Sequence, residues 1–292
     1  MNSKLKGLGV AMVTPFTRDK EIDYDATKRL VEYLISGGVN YLVVLGTTGE
    51  SATLSDKEKK SLVKFILKQN NKRVPIVLGV GGNDTKHVIE SIDNYDYDDI
   101  DAILSVTPYY NKPSQKGLEL HFNEIVSKSP VPLVLYNVPG RTGINMTADT
   151  TLKLAQNPKI IAIKEASGNL NQINYILRDK PKDFLVISGD DGLALPQIAM
   201  GMDGVISVLG NTLPKQFSEM INLAMNGNLV EARKLYLKLI EITDALFAEG
   251  SPAGVKASLN IQGIIDNNLR LPLVPASDAL YSKIAKLLEN FK

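Results

Sequence analysis

Eight short apolar runs punctuate the chain, at residues 9–14, 41–45, 75–80, 102–106, 132–136, 160–164, 184–188 and 204–208. They are rich in Val, Ile and Leu and read as continuous hydrophobic stretches, the pattern of parallel strands covered on both faces. Amphipathic stretches lie between them, among them 24–36, 56–69, 85–94, 115–128 and 147–156, and these predict helices with one buried face. Two carry start signals. Ser55-Asp-Lys-Glu58 has the spacing of a capping box, and Thr147-Ala-Asp149 places an acid in a first turn.

Strand–helix alternation repeated about eight times predicts a parallel sheet. A doubly wound sheet usually has fewer strands and a glycine-rich turn after the first, whereas the turn in this chain reads Thr14-Pro-Phe-Thr17. Eight units in about 225 residues match an α/β fold of another kind, the (β/α)8 TIM barrel, which typically takes ~250 residues. Beyond that point the pattern lengthens into helical stretches at 229–247, 252–261 and 276–288. The expected organisation is a catalytic barrel over residues 1–225 and a C-terminal helical extension over residues 226–292.

Composition narrows the chemistry. Among 292 residues there are 0 Cys and 2 His, His87 and His121. Disulfides, thiolate–zinc sites, iron–sulfur clusters and cysteine nucleophiles are excluded together, and no His-x-x-x-His pair exists. Acid–base work must fall to Lys, Tyr, Asp, Glu or hydroxyl groups. Both histidines fall in helical stretches, where each reads as a surface or packing residue. The 33 Lys and Arg against 32 Asp and Glu leave a net charge of +1, which provides no electrostatic footprint for nucleic acid or an anionic membrane. No run reaches the ~18 apolar residues of a membrane span. The start, with Lys4, Lys6, Pro15 and Arg18, lacks the shape of a signal peptide. The expected localisation is cytoplasmic.

Barrel chemistry sits at the C-terminal ends of the strands, so the polar residues there are the candidates. The second strand ends Leu45-Gly-Thr-Thr-Gly-Glu-Ser51. Two hydroxyls and free N–H groups in such a turn suit a carboxylate or phosphate, and a plain helix-capping turn is the alternative. The fourth ends Thr107-Pro-Tyr-Tyr-Asn-Lys-Pro113, a loop stiffened by two prolines. The fifth ends Tyr136-Asn-Val-Pro-Gly-Arg-Thr-Gly143, offering a phenol and a guanidinium fork suited to a carboxylate; an ordinary surface Arg is the other reading. The seventh ends Ser188-Gly-Asp-Asp-Gly192. Its acids read better as a helix start than as a Mg²⁺ site.

The sixth strand, Ile160-Ile-Ala-Ile-Lys-Glu165, carries the main clue. A lysine after four apolar residues reaches the mouth of an enclosed barrel, where lost hydration disfavours its charged form. A neutral amine there adds to a ketone or aldehyde as a Schiff-base catalyst. The competing reading pairs Lys164 with Glu165, or lets it snorkel from the strand end.

Taken together, Gly46-Thr-Thr-Gly-Glu-Ser51, Thr107-Pro-Tyr-Tyr110, Tyr136-Asn-Val-Pro139, Arg141-Thr-Gly143 and Ile163-Lys-Glu165 resemble the signature of the dihydrodipicolinate synthase / N-acetylneuraminate lyase family of class I aldolases. The resemblance runs in order over essentially the whole chain. It implies condensation of pyruvate with L-aspartate 4-semialdehyde, a first committed step of diaminopimelate and lysine biosynthesis, without metal or organic cofactor. On that resemblance Lys164 forms the imine, and Tyr136, Thr47 and Tyr110 form a hydroxyl relay, Tyr110 being supplied by a neighbouring subunit. Thr48 would hold the pyruvate carboxylate, Arg141 the carboxylate of the semialdehyde, and Gly189 and Ile206 would present carbonyls near the imine. The implied assembly is a homo-oligomer, a dimer of dimers. Arg141 and the Gly49-Glu-Ser51 string resemble the synthase branch. Sugar-acid aldolases with the same imine are the alternative. Many lysine-inhibited members of the family it resembles carry a glutamate where this chain has His87 and a histidine where it has Lys59, although Ala52, Asn83 and Tyr109 match their effector site. Lysine feedback is therefore expected to be weak or absent.

Overall fold

A computed structural model describes residues 2–291. The chain alternates as the hydrophobic pattern predicts. β1 (Gly7–Ala11) leads to α1 (Tyr24–Ser36), β2 (Tyr41–Val44) to α2 (Asp56–Asn70), and β3 (Ile76–Gly79) to α3 (Thr85–Ile92). β4 (Ala102–Val106) leads to α4 (Gln115–Lys128), and β5 (Leu133–Asn137) to α5 (Pro139–Thr142) and α6 (Ala148–Leu154). β6 (Ile160–Glu165) leads to α7 (Leu170–Asp179), and β7 (Leu185–Ser188) to α8 (Ala194–Ala199). β8 (Gly204–Ser207) leads to α9 (Leu209–Thr212) and α10 (Pro214–Met225). Neighbouring strands are parallel throughout, and β8 pairs with β1 to close the barrel. α11 (Leu229–Phe247), α12 (Ala253–Ile261) and α13 (Asp278–Leu288) follow; α11 packs on α10, α12 and α13, and α12 packs on α9.

The strands read as unbroken apolar runs because both faces are covered. Alternate residues enter two separate cores: Val43, Val77, Leu104, Val134, Ala162 and Ile187 fill the barrel, while Val10, Leu78, Ile103, Leu135, Ile163 and Val186 meet the helices. Side chains of successive strand residues point to opposite faces, so this parity decides which polar residues reach the barrel interior. Helix starts follow the local signals. Ser55 and Glu58 form the capping box, with Ser55 N–H donating to Glu58 at 2.8 Å and Glu58 N–H to Ser55 Oγ at 3.3 Å. Thr147 caps α6 through Thr150 N–H at 3.3 Å.

Two differences from the sequence expectation have local causes. The first strand ends at Ala11 instead of continuing to Thr14, because the Val13 N–H is taken by Asn211 Oδ1 at 3.2 Å and the Thr14 hydroxyl by Gly49 O at 2.6 Å. α8 and α10 were not among the helical stretches singled out; each has a proline in its first turn, Pro196 and Pro214, where the missing N–H costs nothing. Among the described residues no helix is long and apolar enough to cross a membrane.

Candidate active site

Lys164 is the fifth residue of β6 and shares the inward parity of Ala162. It is 6% exposed. Its strand neighbour on β5 is Tyr136, which is also inward, and Lys164 Nζ lies 4.4 Å from the centre of that ring. On the other side Lys164 pairs with Ile187 of β7. Among the described residues no carboxylate or carbonyl accepts a hydrogen bond from the amine. Gly189, just beyond β7, completes the wall: a Cβ there would fall 2.6 Å from Ala166 Cβ and 3.0 Å from Lys164 Cε, so a side chain would displace Ala166 and crowd the lysine stem. Ile206 of β8 belongs to the same inner cluster as Tyr136.

Thr47 and Thr48 lie on a 3-10 turn, Thr47–Gly49, directly after β2. The chain enters it through Leu45 in a left-handed conformation (φ 59°). Gly79 of β3 makes room, since a Cβ there would sit 2.4 Å from Leu45 O. Thr48 is buried and Thr47 exposed. Arg141 is exposed on α5, a single turn capped by Gly143 N–H donating to Pro139 O at 2.9 Å. The Thr107 hydroxyl donates to Thr142 Oγ1 at 3.4 Å, tying the loops after β4 and β5 together.

Tyr110 stands apart. It is 89% exposed and holds a left-handed backbone (φ 73°). Its loop is braced by Asn83 Nδ2 donating to Tyr109 O at 3.2 Å and Asn111 Nδ2 donating to Asn83 O at 2.8 Å. No hydrogen bond joins Tyr136, Thr47 and Tyr110 among the described residues of one chain.

Three sequence readings need correction or completion. Glu165 does not pair with Lys164. It faces outward, fully buried, and accepts from Ser167 N–H at 2.7 Å, Asn137 Nδ2 at 3.0 Å and Gln172 Nε2 at 3.1 Å. Asp191 does not serve the helix that follows it. Its buried Oδ2 accepts from Val208 N–H at 2.9 Å and Leu209 N–H at 2.7 Å, at the start of α9. Burial raises its carboxyl above the usual range, opposed by the Ser207 hydroxyl, those two amides and the Lys164 charge. His121 packs inside, with Nδ1 at 2.8 Å from Thr85 Oγ1, and burial lowers its pKa to about 4; His87 is exposed on α3. Lys59 lies 3.3 Å from Asp56.

One ionic group was missed in the sequence. Lys256 of α12 is fully buried and reaches Glu50, in the turn after Thr48, at 2.5 Å. Its signal was a lone charge inside the otherwise apolar and small-residue run of that helix. Among the described residues no group of three or more His, Cys, Asp or Glu side chains is arranged to hold a metal ion.

The model of the dihydrodipicolinate synthetase family matches residues 4–291. The chain is 50% identical over 287 residues to the 4-hydroxy-tetrahydrodipicolinate synthase of Parabacteroides distasonis, covering 98% of this chain and 97% of the relative. It is 51% identical over 289 residues to the enzyme of that name from Azobacteroides pseudotrichonymphae, covering 99% and 98%. Among solved structures it is similar to the chloride-inhibited dihydrodipicolinate synthase of Acinetobacter baumannii complexed with pyruvate, with a TM-score of 0.94, 39% identity and 98% of each chain covered.

Proposed function

The chain belongs to the dihydrodipicolinate synthetase family, and on that premise we propose that it is a lyase condensing pyruvate with L-aspartate 4-semialdehyde through an imine on Lys164. The observation that carries the residue assignment is a buried amine at the barrel mouth with no acceptor among the described residues, set against a tyrosine ring. In its neutral form this amine attacks the ketone carbon of pyruvate. Water leaves and an iminium forms. A methyl proton of pyruvate is then lost, and the resulting enamine carbon attacks the aldehyde. The amine of the semialdehyde closes onto the former ketone carbon and releases Lys164. The covalent lysine takes the place that a metal or organic cofactor fills in other aldolases.

Tyr136, next to Lys164 across the β5–β6 pair, would carry protons to and from these positions. Thr48 and the amides of its turn would receive the pyruvate carboxylate, Arg141 the carboxylate of the second substrate, and the carbonyls of Gly189 and Ile206 would face the imine. Thr47 would link Tyr136 to Tyr110. The exposure and left-handed backbone of Tyr110 favour a role in the site of a neighbouring copy, within a dimer or a dimer of dimers. A biosynthetic enzyme of this kind works in the cytoplasm.

Steady-state assays test the reading. Turnover is expected with pyruvate and L-aspartate 4-semialdehyde and not with N-acetylneuraminate; the reverse preference would overturn it in favour of a sugar-acid aldolase. Mixing inactive Tyr110→Phe and Lys164→Met proteins is expected to restore part of the activity through mixed dimers. No recovery after subunit exchange contradicts a shared site.

A further inference from the structure

Glu50 closes the turn that carries Thr47 and Thr48. Its N–H donates to Thr47 O at 3.2 Å, and its carbonyl accepts from Thr53 N–H and Thr53 Oγ1, each at 3.0 Å. It does this in a left-handed conformation (φ 51°), which a residue with a Cβ holds only when its surroundings impose it. Those surroundings come from the far end of the chain. One carboxylate oxygen meets Lys256 Nζ of α12 at 2.5 Å, and the other accepts from Arg270 N–H at 3.1 Å.

The grip extends on both sides of the turn. Lys256 donates to Asn268 O at 2.8 Å and lies 4.2 Å from the centre of the Phe16 ring. Asn268 Nδ2 donates to Phe16 O at 3.2 Å. The Arg270 guanidinium donates to Thr53 O at 2.9 Å and to Glu58 of α2, and also lies 4.6 Å from the centre of the Phe16 ring. Glu50 and Lys256 have side chains that are 0% exposed. A buried ion pair is weak evidence for stability and a better-attested device for fixing one arrangement among several. In this chain the arrangement it fixes is the turn of the two candidate threonines.

We propose that Glu50 and Lys256 are positioning residues for substrate binding: their buried ion pair lets the C-terminal helices hold the Thr47–Thr48 turn where it receives the pyruvate carboxylate. This rests on the reading that Thr48 and its turn bind that carboxylate. Neither residue touches substrate. Both act through the backbone of the turn, so the expected defect is selective: weaker capture of pyruvate, with the semialdehyde site and the imine chemistry intact.

The test compares wild-type protein with Glu50→Gln, Lys256→Met and a control, Leu239→Ala, which loosens α11 away from the turn. Borohydride trapping of pyruvate on wild type comes first; no trapping there overturns the imine reading itself and not this inference alone. With trapping established, Glu50→Gln and Lys256→Met are expected to raise the KM for pyruvate about tenfold. Saturated kcat and the KM for the semialdehyde are expected to stay within about twofold. Leu239→Ala should lower Tm without moving the pyruvate KM. Glu50→Gln keeps the shape and one acceptor oxygen while removing the charge, so it decides the matter if Lys256→Met does not fold. Unchanged pyruvate KM in Glu50→Gln, or equal loss for both substrates, would overturn the proposal.

Discussion

Among the described residues two lysines are buried, one in the barrel and one in the C-terminal helices, and they are buried differently. Both place the ammonium over an aromatic ring, Lys164 at 4.4 Å from Tyr136 and Lys256 at 4.2 Å from Phe16. Lys256 also has a carboxylate, a backbone carbonyl and no exposure. Even so, burial pulls its pKa from 10.5 to about 8, with Glu50 opposing the shift. Lys164 has the ring and no acceptor among the described residues; a buried acid that feels its charge, Asp191, is committed to the α9 amides. A lysine whose charge is matched by a partner is architecture. One left without a partner at the barrel mouth keeps its nitrogen available to bond to carbon.

Exchanging each lysine for methionine should separate the two roles. Lys164→Met is expected to lower kcat by about 10⁴-fold or more while unfolding as wild type does, since only chemistry is removed. A residual rate within tenfold of wild type breaks the comparison. Lys256→Met leaves Glu50 buried without its cation, and chemical denaturation should show a loss of about 3–5 kcal/mol. The folded fraction should still form the imine. A loss below about 1 kcal/mol would mean that Lys256 is not the matched charge the geometry describes.

The ring partners sharpen the contrast. Tyr136→Phe keeps the aromatic face against Lys164 and removes only the hydroxyl, so it is expected to cut turnover by about 10²- to 10⁴-fold with little change in Tm. Phe16→Leu, beneath Lys256, should do the reverse, costing about 1 kcal/mol of stability and sparing kcat. Similar effects from both would erase the distinction.

His121 extends the comparison to a buried titratable group of the opposite kind, one kept neutral. Its pKa is lowered to about 4. The unfolded chain therefore takes up a proton near pH 6.5 that the folded chain refuses until about pH 4. The stabilisation is complete above pH 6.5 and declines as pH falls through that window, by about 1–3 kcal/mol. His121→Gln should flatten this limb in urea titrations run between pH 4 and 7.

What was legible in the sequence followed from local physics. Strands covered on both faces showed as apolar runs, and most boundaries fell within a residue or two, as in β2, β4 and β6. Lys164 stood out because a charge at the end of such a run must face either a helix or the cavity, and strand alternation already sends Glu165 the opposite way. What stayed hidden depended on contacts between distant parts of the chain. Nothing near Glu50 announces Lys256 more than two hundred positions away, and nothing near Asp191 announces that its partners are amides of the next β/α unit. Tyr110 was legible as a motif residue, but a single chain leaves it in solvent.

The most direct measurement is peptide mass mapping after borohydride reduction in the presence of pyruvate. The account predicts one pyruvyl adduct, on the peptide carrying Lys164, with Lys256 unmodified and no adduct in Lys164→Met. An adduct elsewhere, or one that survives Lys164→Met, would contradict it.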